Sequence, residues 1–272
     1  MKDRFQEFYE SVGQKYPEDR IVYQTLSGHL RKKWITRKLQ EFPEGNLLDC
    51  GCNIGTLSRY WRKGSVFGID IAYAVLEQGR ELSPDINFIQ VDLRDMSMFD
   101  SESINNAMAC EVIEHLDRTD SFFENLYRAM KNGGRLLVTS PNFTSSRPEK
   151  IPLGILRSFG ISQGTEGDKY LHTAYRPHEL AAMAERVGYR VLEQGSFEFE
   201  LRGWMKPITV LRLFLNRLTM TLIKRSRISY LIESSFNKLE INLFLILDTF
   251  NFSWLLKKLF NEGRRSYIVA EK

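Results

Sequence analysis

Cysteine and proline are scarce in this chain. Three cysteines and eight prolines occur among its 272 residues, and Cys50 and Cys52 form a C-x-C pair. Three cysteines do not make a disulfide framework, and a C-x-C pair without a second pair or nearby histidines is poor spacing for zinc. This composition predicts a reducing compartment of the cytosolic type.

Long apolar runs are absent as well. No segment reaches the roughly 18 apolar residues of a membrane-spanning helix. The N-terminal stretch MKDRFQEFYESVGQKY also lacks the apolar centre of a signal peptide. The net charge of +4 is slight for this length, so a nucleic-acid partner is not indicated unless the charge is concentrated. We therefore expect neither export nor a membrane span.

What the sequence has instead is an alternation of short apolar segments with helical patterns. The strand-like segments are 46–50, 66–70, 86–92, 104–110, 134–140, 189–197 and 266–271. The helical patterns are 56–63, 74–82, 111–116, 119–132 and 178–188. Alternation of this kind requires crossover connections, and it predicts a doubly wound, mostly parallel α/β sheet with helices on both faces.

Acidic residues stand where several predicted strands end. Asp49 lies at the end of the first strand, Asp70 and Asp92 end the next two, and Glu111 follows the fourth. Ligands of such sheets bind beyond the carboxyl ends of the strands, and an acid about 20 residues after the first loop glycine accepts hydrogen bonds from ribose hydroxyls. Asp70 has that spacing from Gly51. A nucleotide site is therefore predicted at this edge.

The loop after the first strand is not a dinucleotide loop. A dinucleotide site needs G-x-G-x-x-G, whereas this loop reads G-C-N-I-G, with Asn53 between Gly51 and Gly55. Asparagine is the residue other than glycine that best adopts positive φ. The loop favours a nucleoside without a pyrophosphate, and Asp92 suits an adenine amino group.

These segments resemble the class I S-adenosylmethionine-dependent methyltransferases. LLDCGCNIG is similar to their first motif, D/E-x-G-x-G-x-G, with Asn53 in place of the middle glycine, and the similarity continues through FGID, QVDLRDM, CEVIEHL, MKNGGRLLVTSPN and HTAYRPHELAAMAERVGYRV. The pair of EVIEHL and SPN is closest to the branch of ubiquinone-biosynthesis O-methyltransferases and methyltransferases of bacterial glycan and lipid pathways. The resemblance implies a seven-stranded Rossmann-like sheet, and O-methylation of a small-molecule, lipid or glycan acceptor.

The resemblance also implies roles for single residues. Gly51 and Gly55 would flank the methionine part of S-adenosylmethionine, Asp49 would orient the loop and the amino end, and Asp70 would bind the ribose. Asp92 and Leu93 would contact adenine. The full predicted set of cofactor-binding residues is Asp49, Gly51, Asn53, Gly55, Asp70, Ile71, Asp92, Leu93 and Glu111.

EVIEHL carries the residues for catalysis. Read as a helix, it places Glu111, Glu114 and His115 on one side at i, i+3 and i+4. Three interpretations stay open. In the first, His115 is a general base beside Glu111. In the second, Mg²⁺ or Mn²⁺ is held by Glu111, Glu114, His115 and the distant His172, as it is by a similar set in small-RNA 2′-O-methyltransferases. In the third, these are hydrogen-bonded structural residues.

Two further segments flank the predicted methyltransferase domain of residues 41–197 plus 264–272. Residues 1–40 are expected to form a helical segment. The family resemblance implies that this segment, with Phe8, Tyr9 and Tyr16, folds over the cofactor as a lid. Residues 198–263 form a helical insertion that holds the basic excess, with a helix from Pro207 and an apolar stripe at 208, 211, 214, 215, 218 and 222. The insertion has two possible roles. It contacts a lipid substrate or, as a peripheral segment, the inner face of a membrane. Alternatively, it forms a cap on the sheet or a homo-oligomer contact. Nucleic acid is disfavoured, because no compact basic patch with stacking signatures occurs.

Two other functions compete with methyl transfer. A catalytically inactive binding partner could keep the fold without the cofactor, and Asn53 is the motif feature in its favour. A NAD-dependent oxidoreductase is opposed by the missing glycines. The segment 141–176, expected to line the acceptor pocket, matches no substrate pattern.

Overall fold

The structure, a computed structural model, describes residues 3–202 and 226–272. Its strands are β1 (Leu47–Cys50), β2 (Val66–Asp70), β3 (Ile86–Gln90), β4 (Ile104–Cys110), β5 (Met130–Pro141), β6 (Lys150–Pro152), β7 (Lys169–Leu171), β8 (Arg190–Phe197) and β9 (Arg265–Glu271). Its helices are α1 (Arg4–Lys15), α2 (Glu18–Ile21), α3 (Leu26–Gln40), α4 (Tyr73–Leu82), α5 (Thr119–Ala129), α6 (Pro177–Val187), α7 (Ser226–Asp248) and α8 (Phe252–Leu259).

Seven strands form one sheet in the order β3-β2-β1-β4-β5-β9-β8. The pairs from β3 through β5 are parallel, and β9 runs antiparallel to β5. The predicted fold class, a doubly wound, mostly parallel seven-stranded α/β sheet, is confirmed. Strand order reverses at β1 and β4, so the carboxyl ends of these two strands open a crevice.

Apolar strands and helices bury the centre of this sheet. β1, β2 and β4 carry near-continuous apolar residues because parallel strands are covered on both faces. Phe122 and Phe123 of α5 and Leu180 of α6 pack in the same cluster as Leu48 and Ile69. The packed core therefore fixes the positions of the strand ends that carry the acidic residues.

The described chain divides into two compact units. The first holds residues 1–17, 35–195 and 265–272, and the second holds 18–34 and 196–264. The range of the second unit thus includes the whole predicted insertion, 198–263, together with part of the predicted N-terminal segment. Its core contains Leu26, Leu201 and Phe244.

Polar and aromatic contacts also stabilise the second unit. The Arg31 guanidinium lies 3.0 Å from the Glu198 carboxylate, and both side chains are buried. The Trp34 ring stacks on the Phe197 ring with centroids 4.1 Å apart. These contacts join its two stretches of chain.

Two predicted helices are wrong. Residues 56–63 contain only the 3₁₀ turn Ser58–Tyr60, and the Trp61 indole donates to the Gly45 carbonyl at 3.0 Å. EVIEHL contains only the 3₁₀ turn Ile113–His115, because Glu111 has a φ of 61° and turns the chain sharply after β4. The three acidic and basic side chains of this motif therefore do not share a helix face.

The predicted helix from Pro207 with its stripe at 208–222 lies outside the described residues. Within residues 3–202 and 226–272, no single helix is long and apolar enough to cross a membrane. Ser235–Asp248 and Phe252–Leu259 reach that composition only as a pair, bent by 87°.

Candidate active site

The loop after β1 has the backbone that its sequence predicts. Gly51, Asn53 and Gly55 have φ values of 71°, 49° and 74°. A Cβ on Gly51 would lie 2.4 Å from a methyl of Val112, so only glycine fits there. The Asn53 side-chain oxygen accepts from the Ile54 amide at 2.8 Å. The predicted positive φ at Asn53 is confirmed.

Asp70 connects the end of β2 to this loop. One carboxylate oxygen accepts from the Asn53 amide at 3.0 Å, and the other accepts from the Ala72 amide at 2.9 Å. Burial raises the pKa of Asp70, and these amide bonds oppose the shift. The residue predicted to bind ribose therefore also fixes the loop.

Asp49 is a buried carboxyl beneath the same loop. Its exposed fraction is 3%. Burial raises the pKa of Asp49 to about 7, and the Ser58 hydroxyl partly opposes that shift. A buried carboxyl of this kind is stabilised in its ionised form by a nearby cation. This position suits the predicted role of Asp49, which is to orient the loop and the amino end of S-adenosylmethionine.

Asp92 pairs with a neighbouring arginine. The Arg94 Nε lies 3.0 Å from each Asp92 carboxylate oxygen, and the guanidinium also bonds Asp3 at 2.5 Å. The same guanidinium lies 4.2 Å from the Phe5 ring centroid. The adenine contacts of Asp92 and Leu93 stay predictions, and Arg94 is a feature of this edge that the sequence analysis missed.

The structure places Glu111 apart from the other predicted metal ligands. Its carboxylate lies 2.7 Å from the Arg265 guanidinium and accepts from the Thr139 hydroxyl at 3.0 Å. These partners lie on β9 and β5. Glu111 therefore links two strands at the crevice edge, and it does not join the histidine cluster.

Glu114, His115 and His172 do come together. One ligand atom from each lies within 4.8 Å of the others. One backbone hydrogen bond and one contact from a side chain to the backbone hold the segments in register. The Thr173 amide donates to the Glu114 carbonyl at 2.8 Å, and the His115 Nδ1 lies 3.1 Å from the Leu171 carbonyl oxygen. Because a carbonyl only accepts, Nδ1 carries the proton and the His115 Nε2 keeps a lone pair.

Both histidines are neutral near neutral pH. Burial lowers the pKa of His115. Burial and the neighbouring His115 lower the pKa of His172 to about 4. The cluster therefore offers imidazole lone pairs, which serve either as a base or as metal ligands.

Tyr9 of α1 completes the surroundings of the cluster. Its ring centroid lies 5.6 Å from that of His115. In the part of the chain that the structure describes, the buried Tyr9 hydroxyl and the buried His172 Nδ1 have no hydrogen-bond partner. A bound ligand would supply the hydrogen bonds that these two buried polar atoms lack. No local sequence signal relates Tyr9 to residues more than 100 positions away.

The rest of α1 packs around this edge of the first unit. Glu10 accepts from the Tyr73 and Ala74 amides at 2.6 and 3.2 Å, at the start of α4. Phe8 is buried against Leu153, Leu156 and Ile161. Tyr16 packs edge-on against Phe159, with centroids 5.3 Å apart. These contacts suit the predicted lid, which stays a prediction.

Residues 48–138 match the family model described as a methyltransferase domain. The chain is 31% identical to YqeM of Bacillus subtilis strain 168 over 128 residues, covering 43% of this chain and 51% of that protein. It is 28% identical over 97 residues to the malonyl-[acyl-carrier protein] O-methyltransferase of Salmonella typhimurium, covering 35% and 38%. The chain thus spans about half, or less, of the length of these relatives.

Solved structures share the fold. The phosphoethanolamine N-methyltransferase 2 of Haemonchus contortus, in complex with S-adenosyl-L-methionine, is 16% identical with a TM-score of 0.58, covering 98% of this chain and 60% of that one. The [4+2]-cyclase SpnF is 14% identical with a TM-score of 0.54, covering 89% and 80%. At these identities the likeness shows the fold alone, and the two names differ in chemistry.

Proposed function

We propose that this chain, whose residues 48–138 match the methyltransferase-domain family, is an S-adenosylmethionine-dependent methyltransferase that acts on an acceptor oxygen. The observation that carries the proposal is the arrangement at the ends of β1 and β2. There, the buried Asp49 carboxyl lies beneath a loop of positive-φ residues that Asp70 fixes through the Asn53 amide.

Each part of this arrangement suits one part of S-adenosylmethionine. Asp49 would pair with the ammonium group, Asp70 would accept from the ribose hydroxyls, and Gly51 gives the loop the positive φ with which it turns after β1. When bound, S-adenosylmethionine supplies a methyl group on a positively charged sulfur that leaves as a neutral thioether. The protein's own task is then to hold the acceptor oxygen in line with that methyl group.

We infer that Glu114, His115 and His172 activate the acceptor. The His115 Nε2 has a lone pair that takes a hydroxyl proton, and the bond from Nδ1–H to the Leu171 carbonyl fixes the ring. The same three side chains fit Mg²⁺ or Mn²⁺, which would polarise the acceptor oxygen. In either role, we infer that the buried Tyr9 hydroxyl, whose ring lies beside that of His115, contacts the acceptor.

Oxygen as the methylated atom is favoured by two observations. A neutral buried histidine is suited to a hydroxyl, whose proton must be removed as the new bond forms. The name of the Salmonella relative is that of an O-methyltransferase. Small-molecule, lipid and glycan acceptors are the classes to test.

A binding titration tests the cofactor. S-adenosylhomocysteine should bind and NAD should not, as measured by calorimetry. Binding of NAD alone would support an oxidoreductase. Binding of neither would support a partner protein that keeps the fold without the cofactor, and would contradict the proposal.

A second experiment separates the two acceptor-activating roles. Transfer of a labelled methyl group is measured with quinone precursors, lipids and glycans, with and without EDTA. If a metal is used, chelation and His172→Ala should each abolish transfer, and Mn²⁺ should restore it to the chelated wild type. If His115 is the base, EDTA should have no effect, and His115→Ala should lose roughly 100-fold or more of the rate. Full activity of both variants would leave the cluster with a structural role.

A further inference from the structure

Large apolar side chains are exposed on the second unit. They occur on α7, in the turn after it and on α8. We define the α7–α8 apolar face as Leu239, Leu243, Ile246, Phe250, Trp254, Leu255 and Leu259. Phe250, in the turn, is 80% exposed, and Leu239 is 66% exposed.

The burial of α7 is inverted relative to a helix that faces water. Its buried positions include the polar residues Asn237 and Glu240 beside Phe244. Leu239, Leu243 and Ile246 follow one another at helical spacing and are exposed. A helix on a protein surface normally turns polar residues outward. The outward apolar stripe therefore indicates an apolar surrounding for this face.

Basic residues accompany the face. Lys238, Lys257 and Lys258 are exposed. The Lys258 ammonium lies 4.0 Å from the Trp254 ring centroid, so the cation and the indole occupy one patch. Tryptophan and lysine side by side are typical of segments at the headgroup level of a bilayer.

The bend between the two helices favours a segment that lies on a membrane. The pair Ser235–Asp248 and Phe252–Leu259 has the apolar content of a span, but its helices meet at 87°. Two helices that meet at this angle do not form one straight rod. They expose the apolar turn between them, which here carries Phe250. An isologous contact between two copies would bring the lysines of both copies together, whereas anionic lipid complements their charge.

We propose that the α7–α8 apolar face binds the surface of an anionic phospholipid bilayer. Phe250, Trp254 and Leu255 insert at the acyl boundary, and Lys257 and Lys258 contact the headgroups. Lipid binding by this face does not depend on the reaction proposed for the chain. It identifies the surface on which the protein works.

The test is co-sedimentation of the full-length chain with vesicles of phosphatidylcholine and phosphatidylglycerol in equal parts, and with phosphatidylcholine alone. The wild type should bind the anionic vesicles, and raising the salt to about 0.5 M should weaken binding, because screening then acts within a few ångströms. Phe250→Glu/Leu255→Glu should reduce partitioning about tenfold or more. The matched control is Leu82→Glu/Met98→Glu, which changes two comparably exposed apolar residues of the first unit and should bind as the wild type does.

Circular dichroism and S-adenosylhomocysteine affinity check that both double variants are folded. Brominated lipid should quench the wild-type tryptophan fluorescence more than that of Trp254→Phe. The proposal is overturned if the wild type stays in the supernatant, or if the control loses binding as much as the test variant. It is also overturned if the wild type is a dimer by sedimentation, without vesicle binding, and Phe250→Glu/Leu255→Glu makes it monomeric.

Discussion

Burial in the folded chain makes ionisation of the Asp49 carboxyl cost free energy. Its pKa rises from 3.8 to about 7, chiefly because burial disfavours the charged form. Between these two values the folded state holds a proton that the unfolded state has lost. The free energy of unfolding therefore falls as pH rises from about 4 to about 7 on account of this group.

Asp49→Asn should remove that pH dependence. In the cofactor-free protein, the variant should be more stable than the wild type at pH 8 by roughly 2–4 kcal/mol, and the two should converge near pH 4. Thermal unfolding across this pH range measures the difference. The same variant should bind S-adenosylhomocysteine more weakly, because the ammonium loses its carboxylate. Parallel pH profiles of the two proteins would contradict the assignment of Asp49.

Asp70→Asn tests the ribose site. The amide keeps one acceptor oxygen for the backbone but loses the charge, so we expect S-adenosylhomocysteine affinity to fall roughly 10–100-fold. Asp95→Asn is the matched control, because Asp95 is an exposed acid that accepts from the Ser97 amide at 3.0 Å. Calorimetry should show unchanged affinity for the control. Equal losses in both variants would remove Asp70 from the site.

At the scale of elements, α1 packs within the first unit through the buried Phe8 ring, through the partly buried rings of Tyr9 and Tyr16, and through a few polar contacts. Phe8 is its buried residue, 4% exposed. Removing a buried phenylalanine costs about 3–5 kcal/mol. Because α1 is at one end of its unit in sequence, loss of the Phe8 ring should weaken the packing of α1 before it weakens the sheet.

Phe8→Ala should therefore loosen α1 selectively. We expect faster hydrogen exchange over residues 4–15 and a smaller change in the exchange of β1 and β4. Phe122→Ala is the control, because that fully buried ring packs in the sheet core and its loss should speed exchange throughout the first unit. If the exchange pattern of Phe8→Ala resembles that of Phe122→Ala, α1 is not a separable element.

The strands were predictable because their signals are local. Residues 66–70 and 104–110 are strands with the predicted bounds, since short apolar runs between turns reflect burial on both faces. EVIEHL misled because i, i+3 and i+4 spacing arises without a helix. The conformation of Glu111 depends on its partners Arg265 and Thr139, which are distant in sequence.

Part of the candidate site was likewise predictable from local sequence, and part depends on packing. Asp49, Asp70 and the loop glycines were predictable from one motif and its spacing. His172 was grouped with Glu114 and His115 by the family resemblance, and the structure brings these three together. The approach of Tyr9 to His115, and of Arg94 to Asp3, depends on how α1 packs, which no local pattern encodes.

At the scale of the whole molecule, the second unit depends on a buried ion pair. The side chains of Arg31 and Glu198 are 7% and 1% exposed. Breaking such a pair by removing one partner costs about 3–5 kcal/mol, because the remaining charge loses its compensation. The cost should fall on the unit formed by residues 18–34 and 196–264.

Arg31→Ala should consequently speed hydrogen exchange over residues 235–259 and lower the midpoint of urea unfolding. Arg186→Ala is the control, because it breaks the exposed pair with Asp120, worth about 0–1 kcal/mol. S-adenosylhomocysteine affinity should be unchanged in both variants. Exchange in Arg31→Ala no faster than in the control would show that the pair contributes little to the second unit.

The position of β9 between β5 and β8 determines the order in which a nascent chain can fold. β3, β2, β1, β4 and β5 can pair as soon as residue 141 has been synthesised. β8 reaches its place only after residues 198–264 have been translated, because its neighbour β9 begins at Arg265. Throughout that interval β5 keeps an open edge, and the growing chain is exposed there to pairing with other strands. A chain whose synthesis ends within residues 198–264 would therefore have a sheet that ends at β5, with β8 still unpaired.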